Sequence, residues 1–67
     1  MKVFDLHGVK HSDVEAKIQH ACAYCEAPFI VITGKSNIMK QIVSQVASEF
    51  GLSTRDTYDN PGRVIVE

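Results

Sequence analysis

The chain begins with a segment of alternating apolar and polar residues at positions 2–7. In an extended strand, Phe4 and Leu6 would share one face. Asp5 and His7 would share the opposite face. The alternation predicts a first strand with one face covered by the rest of the protein and one face in solvent. Asp5 and His7 are therefore expected at the surface.

A helix is predicted after a short loop at residues 8–11. Ser12 and Glu15 have the spacing of a capping box, in which the serine accepts from the main chain and the glutamate reaches back. Pro28 disfavours helical backbone at Ala27, where the helix is expected to end. The apolar residues of this segment recur at helical spacing and form one stripe. They are Val14, Ile18, Ala21, Cys22 and Cys25.

An uninterrupted apolar run at residues 29–33 predicts a strand with neighbours on both sides. The turn after it offers Ser36 or Asn37 as the cap of a second helix, predicted over 38–50. Gly51 is expected to end that helix in the left-handed conformation. The apolar residues of this helix also form a stripe, which we expect to be its buried face. They are Ile38, Ile42, Val46 and Phe50, with Met39 and Val43 beside them.

The last part of the chain predicts a hairpin. Residues 52–58 are more polar, residues 59–62 read as a turn with proline and glycine at its centre, and residues 64–66 are an apolar strand. A right-handed crossover makes the first two strands parallel, and the two most apolar strands belong in the middle of the sheet. We expect an α/β (α+β) two-layer sandwich of β-α-β-α-β-β order. Its four-stranded mixed sheet has the order 1-2-4-3, with two helices on one face.

This architecture predicts which side chains form the core. The expected core residues are apolar and come from both helices and from the two central strands. They are Val14, Ile18, Ile30, Ile32, Ile42, Val46 and Val64.

Length and charge limit the function classes. A chain of 67 residues is expected to be one domain, residues 1–67. Seven Lys and Arg against eight Asp and Glu leave no overall positive field to attract nucleic acid, so any polyanion contact must be local. No apolar run is long enough for a bilayer, and the start does not resemble a signal peptide. We expect a cytoplasmic protein.

The two cysteines are too few for the disulfide framework of a small secreted domain, which favours a reducing compartment. Cys22 and Cys25 lie in the apolar stripe of the first helix, and His20 could add only one further zinc ligand. Packing is therefore the favoured interpretation of the pair. We expect no metal and no cofactor.

Asp5 and His7 are the first candidates for chemistry. A carboxylate and an imidazole on one face can divide acid and base roles, or the carboxylate can hold the imidazole in one tautomer. Asp and His are also common near strand ends without any function. This pair is therefore a hypothesis that depends on its surroundings.

The turn after the second strand is the other candidate. It lies next to the carboxyl end of the first strand, where ligands bind in open α/β sheets. Its main-chain N–H groups, the positive end of the following helix and a lysine predict a phosphate site. An ordinary capped turn is the alternative interpretation. The residues are Thr33, Gly34, Lys35 and Ser36.

These segments together resemble the Smr domain, the small MutS-related module. The resemblance covers the whole chain and rests on Phe-Asp-Leu-His-Gly at residues 4–8, Glu-Ala at 15–16, Thr-Gly-Lys-Ser at 33–36 and Gly-Arg-Val-Ile-Val-Glu at 62–67. It implies the two-layer fold of the C-terminal domain of the third translation initiation factor. It also implies an endonuclease that cleaves DNA or RNA or acts on messenger RNA at stalled ribosomes, with Asp5 and His7 as its catalytic residues.

One departure from the family bears on catalysis. Smr domains have His-Gly-x-Gly where this chain has Thr-Gly-Lys-Ser, and the hydroxyl of Thr33 could position a phosphate but cannot carry a proton charge near neutral pH. His11 is a candidate for the missing imidazole, although a loop histidine is more often only solvated.

Three hypotheses follow for the function. The first is an endonuclease that acts on single-stranded or distorted nucleic acid. The second is a catalytically impaired module that binds nucleic acid or the ribosome, and the third is an interaction domain without a nucleic-acid role. We expect a monomer that does not act at a membrane.

Overall fold

The computed structural model of the protein describes residues 1–57 and 59–67. Its elements follow the predicted β-α-β-α-β-β order. They are β1 (Lys2–Asp5), α1 (His11–Tyr24), β2 (Phe29–Ile32), α2 (Asn37–Glu49), β3 (Thr54–Thr57) and β4 (Asn60–Val66). Within the described residues, neither helix is long and apolar enough to cross a membrane.

The four strands form one mixed sheet in the order β1-β2-β4-β3, as predicted. β1 and β2 are parallel, whereas β4 is antiparallel to both β2 and β3. Asp5 lies opposite Ile32, and Ile32 lies opposite Arg63. Because paired residues point to the same face of a sheet, these three side chains form one row across β1, β2 and β4.

The core lies between the two helices and one face of the sheet. In β2, Phe29 and Val31 are fully buried, whereas Ile30 and Ile32 are only half-buried. The buried apolar residues of both helices and of the strands form a single cluster. Its members are Leu6, Val14, Ile18, Ala21, Phe29, Val31, Met39, Val43, Val46, Ala47, Val64 and Val66. We call the helix-packed side the covered face and the other side the open face.

Three predicted core positions are wrong. Ile30 and Ile32 belong to the open face, and Ile42 is only half-buried at the margin of the core. The apolar run of β2 has no alternation that would tell which residues point towards the helices, and the prediction assigned the wrong alternate set. The other four predicted positions are buried. They are Val14, Ile18, Val46 and Val64.

Helix α1 lacks the predicted capping box. It begins at His11, its N-cap is Lys10, and no side chain caps it. Ser12 is already inside the first turn, so its hydroxyl is not at the N-cap position, and the predicted pairing of Ser12 with Glu15 is wrong. The helix ends at Tyr24, before the predicted end at residue 27, and the backbone of the next residue, Cys25, is extended.

Helix α2 agrees with the prediction at both ends but not along its length. Ser36 is the N-cap, and its Oγ accepts from the main-chain N–H of Met39 at 3.1 Å. Gly51 follows the helix with the predicted positive φ, 75°. Ile38 and Phe50, predicted to be buried, are 59% and 43% exposed. Apolar residues span a wide arc of this helix, and packing buries only part of it: Met39, Val43, Val46 and Ala47.

The hairpin turn is displaced from its predicted position. Thr57 pairs with Asn60, so Pro61 and Gly62 belong to β4 and not to the turn. The strand pairing shifts register after Asp56, and this irregularity accommodates a proline in a central strand. Residue 58, predicted to belong to the third strand, lies outside the described residues.

Candidate functional site

The two motifs singled out in the sequence meet where β1 and β2 end. The two strands are parallel, so their carboxyl ends share one edge of the sheet, next to the start of α2. Asp5, His7 and Lys35 are exposed there, and Gly34 is half-buried. We call these four residues the β1–β2 edge site.

A tight turn positions His7 just beyond β1. The N–H of Leu6 donates to the carbonyl of Ile32 at 2.9 Å and continues the pairing with β2. The N–H of Val9 donates to the carbonyl of Leu6 at 3.0 Å and closes a four-residue turn. Gly8, the third residue of this turn, has a φ of 82°, which glycine adopts without strain. The chain therefore reverses directly after the strand and leaves the imidazole of His7 exposed.

The imidazole of His7 lies against Gly34. A Cβ placed on Gly34 would come within 3.2 Å of Cδ2 of His7, closer than most side chains approach each other. Gly34 also has a φ of 67°, in the left-handed region. The missing side chain thus allows the ring to rest on the turn. The candidate acid–base group and the candidate anion-binding turn are therefore neighbours.

The Asp5 carboxylate is bound to the main chain of the turn. Its Oδ1 accepts from the main-chain N–H of His7 at 3.1 Å. An interaction of this kind, an Asx turn, fixes the backbone of the residues that follow the aspartate. The sequence predicted that Asp5 would act with the imidazole of His7 as an acid–base pair. The hydrogen bond in the structure joins Asp5 to the main chain of His7 rather than to its imidazole, so it gives Asp5 a positioning contact, and the acid–base role stays a prediction.

Thr33 does not join the edge site. Its side chain is 2% exposed, on the covered face with Phe29 and Val31. Its hydroxyl donates to the carbonyl of Gly34 at 2.8 Å and lies 3.5 Å from the carbonyl of Gly62. The predicted contact between this hydroxyl and a phosphate is therefore not available at the surface. Thr33 instead stabilises the backbone on which the ring of His7 rests.

Residues of β4 hold the turn from its other side, which the sequence did not reveal. The carbonyl of Gly62 accepts from the N–H groups of both Thr33 and Gly34, each at 2.9 Å. Oδ1 of Asn60 accepts from the N–H of Gly62 at 2.9 Å, a second Asx interaction of the same spacing as that of Asp5. The sequence signal for this interaction is Asn-x-Gly at residues 60–62, a pattern that also occurs in ordinary turns. The Gly34 turn is therefore fixed between β1 and β4.

The turn presents hydrogen-bond donors at its surface. In the described part of the chain, no main-chain acceptor is bonded to the N–H of Lys35 or of Ser36. These groups precede α2, a 13-residue helix whose N-terminus carries a partial positive charge. The Ser36 hydroxyl is engaged as the helix cap. In the cap this hydroxyl only accepts, so its O–H can still donate, and an anion can be bound by the Lys35 ammonium, the main chain and Ser36.

The cysteines lie away from this edge, at the end of α1. Cys22 and Cys25 are reduced and half-buried, and Cys22 packs against the core. Burial raises the pKa of the Cys22 thiol above its ordinary value, which lowers its thiolate fraction near neutral pH. The described residues contain no group of three or more His, Cys, Asp or Glu side chains arranged to hold a metal ion.

The other two histidines belong to α1. His11 is the first residue of the helix and is exposed, and no hydrogen bond in the described chain joins it to the edge site. The ring of His20 packs against that of Tyr24, with centroids 4.7 Å apart. His7 is therefore the imidazole that the fold brings to Gly34.

Comparison of the chain with protein-family models, with curated proteins and with solved structures gives no match. The likeness to Smr domains consequently rests on the sequence motifs at residues 4–8, 15–16, 33–36 and 62–67, and it stays a prediction.

Proposed function

We propose that this domain binds the backbone of nucleic acid at the β1–β2 edge site and cleaves a phosphodiester there. The observation that supports this proposal is the contact between His7 and Gly34. It sets an imidazole, which can act as a general acid or base, beside a turn that can bind an anion. A phosphodiester bound by the turn would have its reacting oxygens next to the imidazole. The same residues carry the resemblance to Smr domains.

RNA offers the simplest chemistry for a site with one imidazole. The 2′-oxygen attacks the phosphorus and forms the new bond of a cyclic phosphate, while the bond to the 5′-oxygen breaks. His7 accepts the proton of the 2′-hydroxyl as a general base, and its imidazolium returns a proton to the departing 5′-oxygen. Lys35 and the main-chain N–H groups of the turn stabilise the charge that develops on the phosphate oxygens. DNA would require an activated water in place of the 2′-hydroxyl.

The first experiment measures cleavage of labelled single-stranded RNA and of plain, nicked and branched DNA, with and without a chelator. His7→Ala should lower the cleavage rate by about 10²- to 10⁴-fold, the usual contribution of a general acid or base. His20→Ala is the matched control, because it removes an exposed imidazole from the outside of α1. A wild-type protein that cleaves none of these substrates would contradict the proposed activity.

The second experiment distinguishes two roles for Asp5. An asparagine keeps an Oδ1 that can accept from the N–H of His7, whereas an alanine does not. If Asp5 positions His7, Asp5→Asn should retain most of the cleavage rate and Asp5→Ala should lose it. Equal and large losses in both variants would instead indicate that the carboxylate charge takes part in the reaction.

A second candidate function is binding without cleavage. Two observations favour it: the Asp5 carboxylate is engaged by the main chain, and the Thr33 hydroxyl is buried. In these placements the edge site has one imidazole, and its other predicted acid–base group, the Asp5 carboxylate, is already bonded to the main chain. In this case the domain would hold nucleic acid, free or on the ribosome, through the Gly34 turn.

Binding is tested separately from cleavage by fluorescence anisotropy with single-stranded RNA. Lys35→Ala should weaken the affinity and lower the slope of log Kd against log salt by about 0.7, the value for one phosphate contact to a single strand. Lys17→Ala, on the exposed side of α1, is the matched control. Equal salt slopes for the wild type and Lys35→Ala would show that Lys35 does not contact a phosphate.

A further inference from the structure

Arg63 lies on the open face in the same row as the edge site. It pairs with Ile32, which pairs with Asp5, and the next residue of β4, Val64, points to the covered face. Arg63 also follows Gly62, whose carbonyl binds the Gly34 turn. The start of β4 and the edge site are therefore joined through the main chain and keep a fixed separation.

Two neighbours hold the guanidinium of Arg63. Its Nε donates to Oγ1 of Thr57 at 3.3 Å, and that hydroxyl donates in turn to the carbonyl of Asn60 at 2.7 Å. The Arg63 side chain is only 33% exposed. A guanidinium has five N–H donors, so the remaining four can serve an external acceptor without loss of this anchor.

The acidic partner of Arg63 is weakly bound. The Asp59 carboxylate lies 3.6 Å from the guanidinium, beyond hydrogen-bond distance, and is 76% exposed. An ion pair of this kind contributes little to stability in water. A phosphate, which arginine can bind through two parallel hydrogen bonds, is a better ligand and can take the place of Asp59.

We propose that Arg63 binds a second backbone phosphate of the nucleic acid held at the β1–β2 edge site. This inference rests on the proposed function. The Gly34 turn follows β2, whereas Thr57 holds the guanidinium of Arg63 on the β3 side of β4. β2 and β3 are two strand spacings apart, about 9.5 Å between Cα atoms, so the turn and the guanidinium bind different phosphates. The ligand class is therefore an oligonucleotide that crosses β1, β2 and β4 on the open face, with Ile32 beneath it, and not a mononucleotide.

Arg55 provides a matched control on the same face. It pairs with Ile65 in the neighbouring row, its side chain is 59% exposed, and its Nε is bonded directly to the carboxylate of Glu67. It is thus an open-face arginine outside the row of Asp5, Ile32 and Arg63, and its charge is already closely paired.

The test measures the Kd of a single-stranded uridine oligoribonucleotide at several salt concentrations. Arg63→Ala should lower the salt slope by about 0.7, whereas Arg55→Ala should leave it unchanged. Arg63→Lys should retain the slope and lose part of the affinity, because it keeps the charge without the planar fork. Circular dichroism of each variant checks that it is folded.

A variant that binds more tightly provides a further test, because a misfolded protein would lose affinity rather than gain it. Asp59→Asn removes the carboxylate that competes for Arg63, so it should tighten binding and should do so less in the Arg63→Ala background. If Lys35→Ala weakens the affinity of the wild type but Arg63→Ala and Arg55→Ala have equal affinities, the role of Arg63 alone is overturned. Absence of binding by the wild type would overturn the proposed function and this inference together.

Discussion

The covered face and the open face of the sheet are built from alternate residues of the same strands, yet they differ in burial. On the covered face, Phe29, Val31 and Val66 are completely buried. On the open face, Ile30 is half-buried, and its partner Val3 at the edge is 53% exposed. The open face also carries apolar residues, among them Ile32 and Ile65, but the helices remove only the covered face from water. Stability is therefore concentrated on the covered face, and the open face can be changed or bound at a small energetic cost.

The largest expected effect compares the same substitution on the two sides. Ile18→Ala removes a side chain that is 1% exposed and should lower the free energy of unfolding by about 2–5 kcal/mol. Ile30→Ala on the open face should cost less than half as much, because its side chain already contacts water. Chemical denaturation midpoints measure both values. Similar midpoints for the two variants would show that the faces contribute equally.

A second pair of variants compares two glycines that both have positive φ. Gly34→Ala and Gly8→Ala should each cost about 1–2 kcal/mol, the strain of a left-handed alanine. Only the Cβ at Gly34 would also meet His7, since the space around Gly8 is open within 4 Å. Gly34→Ala should therefore displace the imidazole, which NMR of the His7 ring protons would detect. The difference would disappear if the His7–Gly34 contact did not form in solution.

The smallest expected effect compares two serines near helix starts. Ser36→Ala removes the N-cap of α2 and should cost about 1 kcal/mol. Ser12→Ala should change stability by less than about 0.5 kcal/mol, because Ser12 caps nothing in the structure. Thermal unfolding of the two variants measures this difference. A loss of stability in Ser12→Ala as large as that in Ser36→Ala would indicate that the predicted capping box forms in solution.

The fold could be predicted well from the sequence because the residues that begin and end its elements act on their near neighbours in the chain. Ser36 and Gly51 mark both ends of α2 through bonds and backbone angles within a few residues. The strand order followed from polarity and from the handedness of crossovers, which do not depend on details of packing. The sequence did not show which residues of β2 point to the core. Residues 29–32 are all apolar, so no alternation with polar residues marks the side that faces the helices.

The location of the candidate site could be predicted from the sequence, but the contacts of its side chains could not. Parallel strands bring their carboxyl ends together, so the proximity of His7 and Gly34 could be expected from topology. The bond from Asp5 to the main chain and the inward direction of Thr33 depend on how each turn twists after its strand. The contribution of Gly62 could not be foreseen, because it requires the register of β4 against β2.

The two hydrogen bonds that Gly62 accepts have a consequence for the order of assembly. During synthesis, β1, α1, β2 and α2 emerge before β4, but the N–H groups of Thr33 and Gly34 have no partner on the sheet until Gly62 arrives. β4 lies between β2 and β3, and its pairing with β2 joins residues far apart in the sequence, a kind of contact that generally forms later than local ones. A nascent chain can thus contain Asp5, His7 and Lys35 without a formed edge site. The edge site is completed only when the sheet is complete.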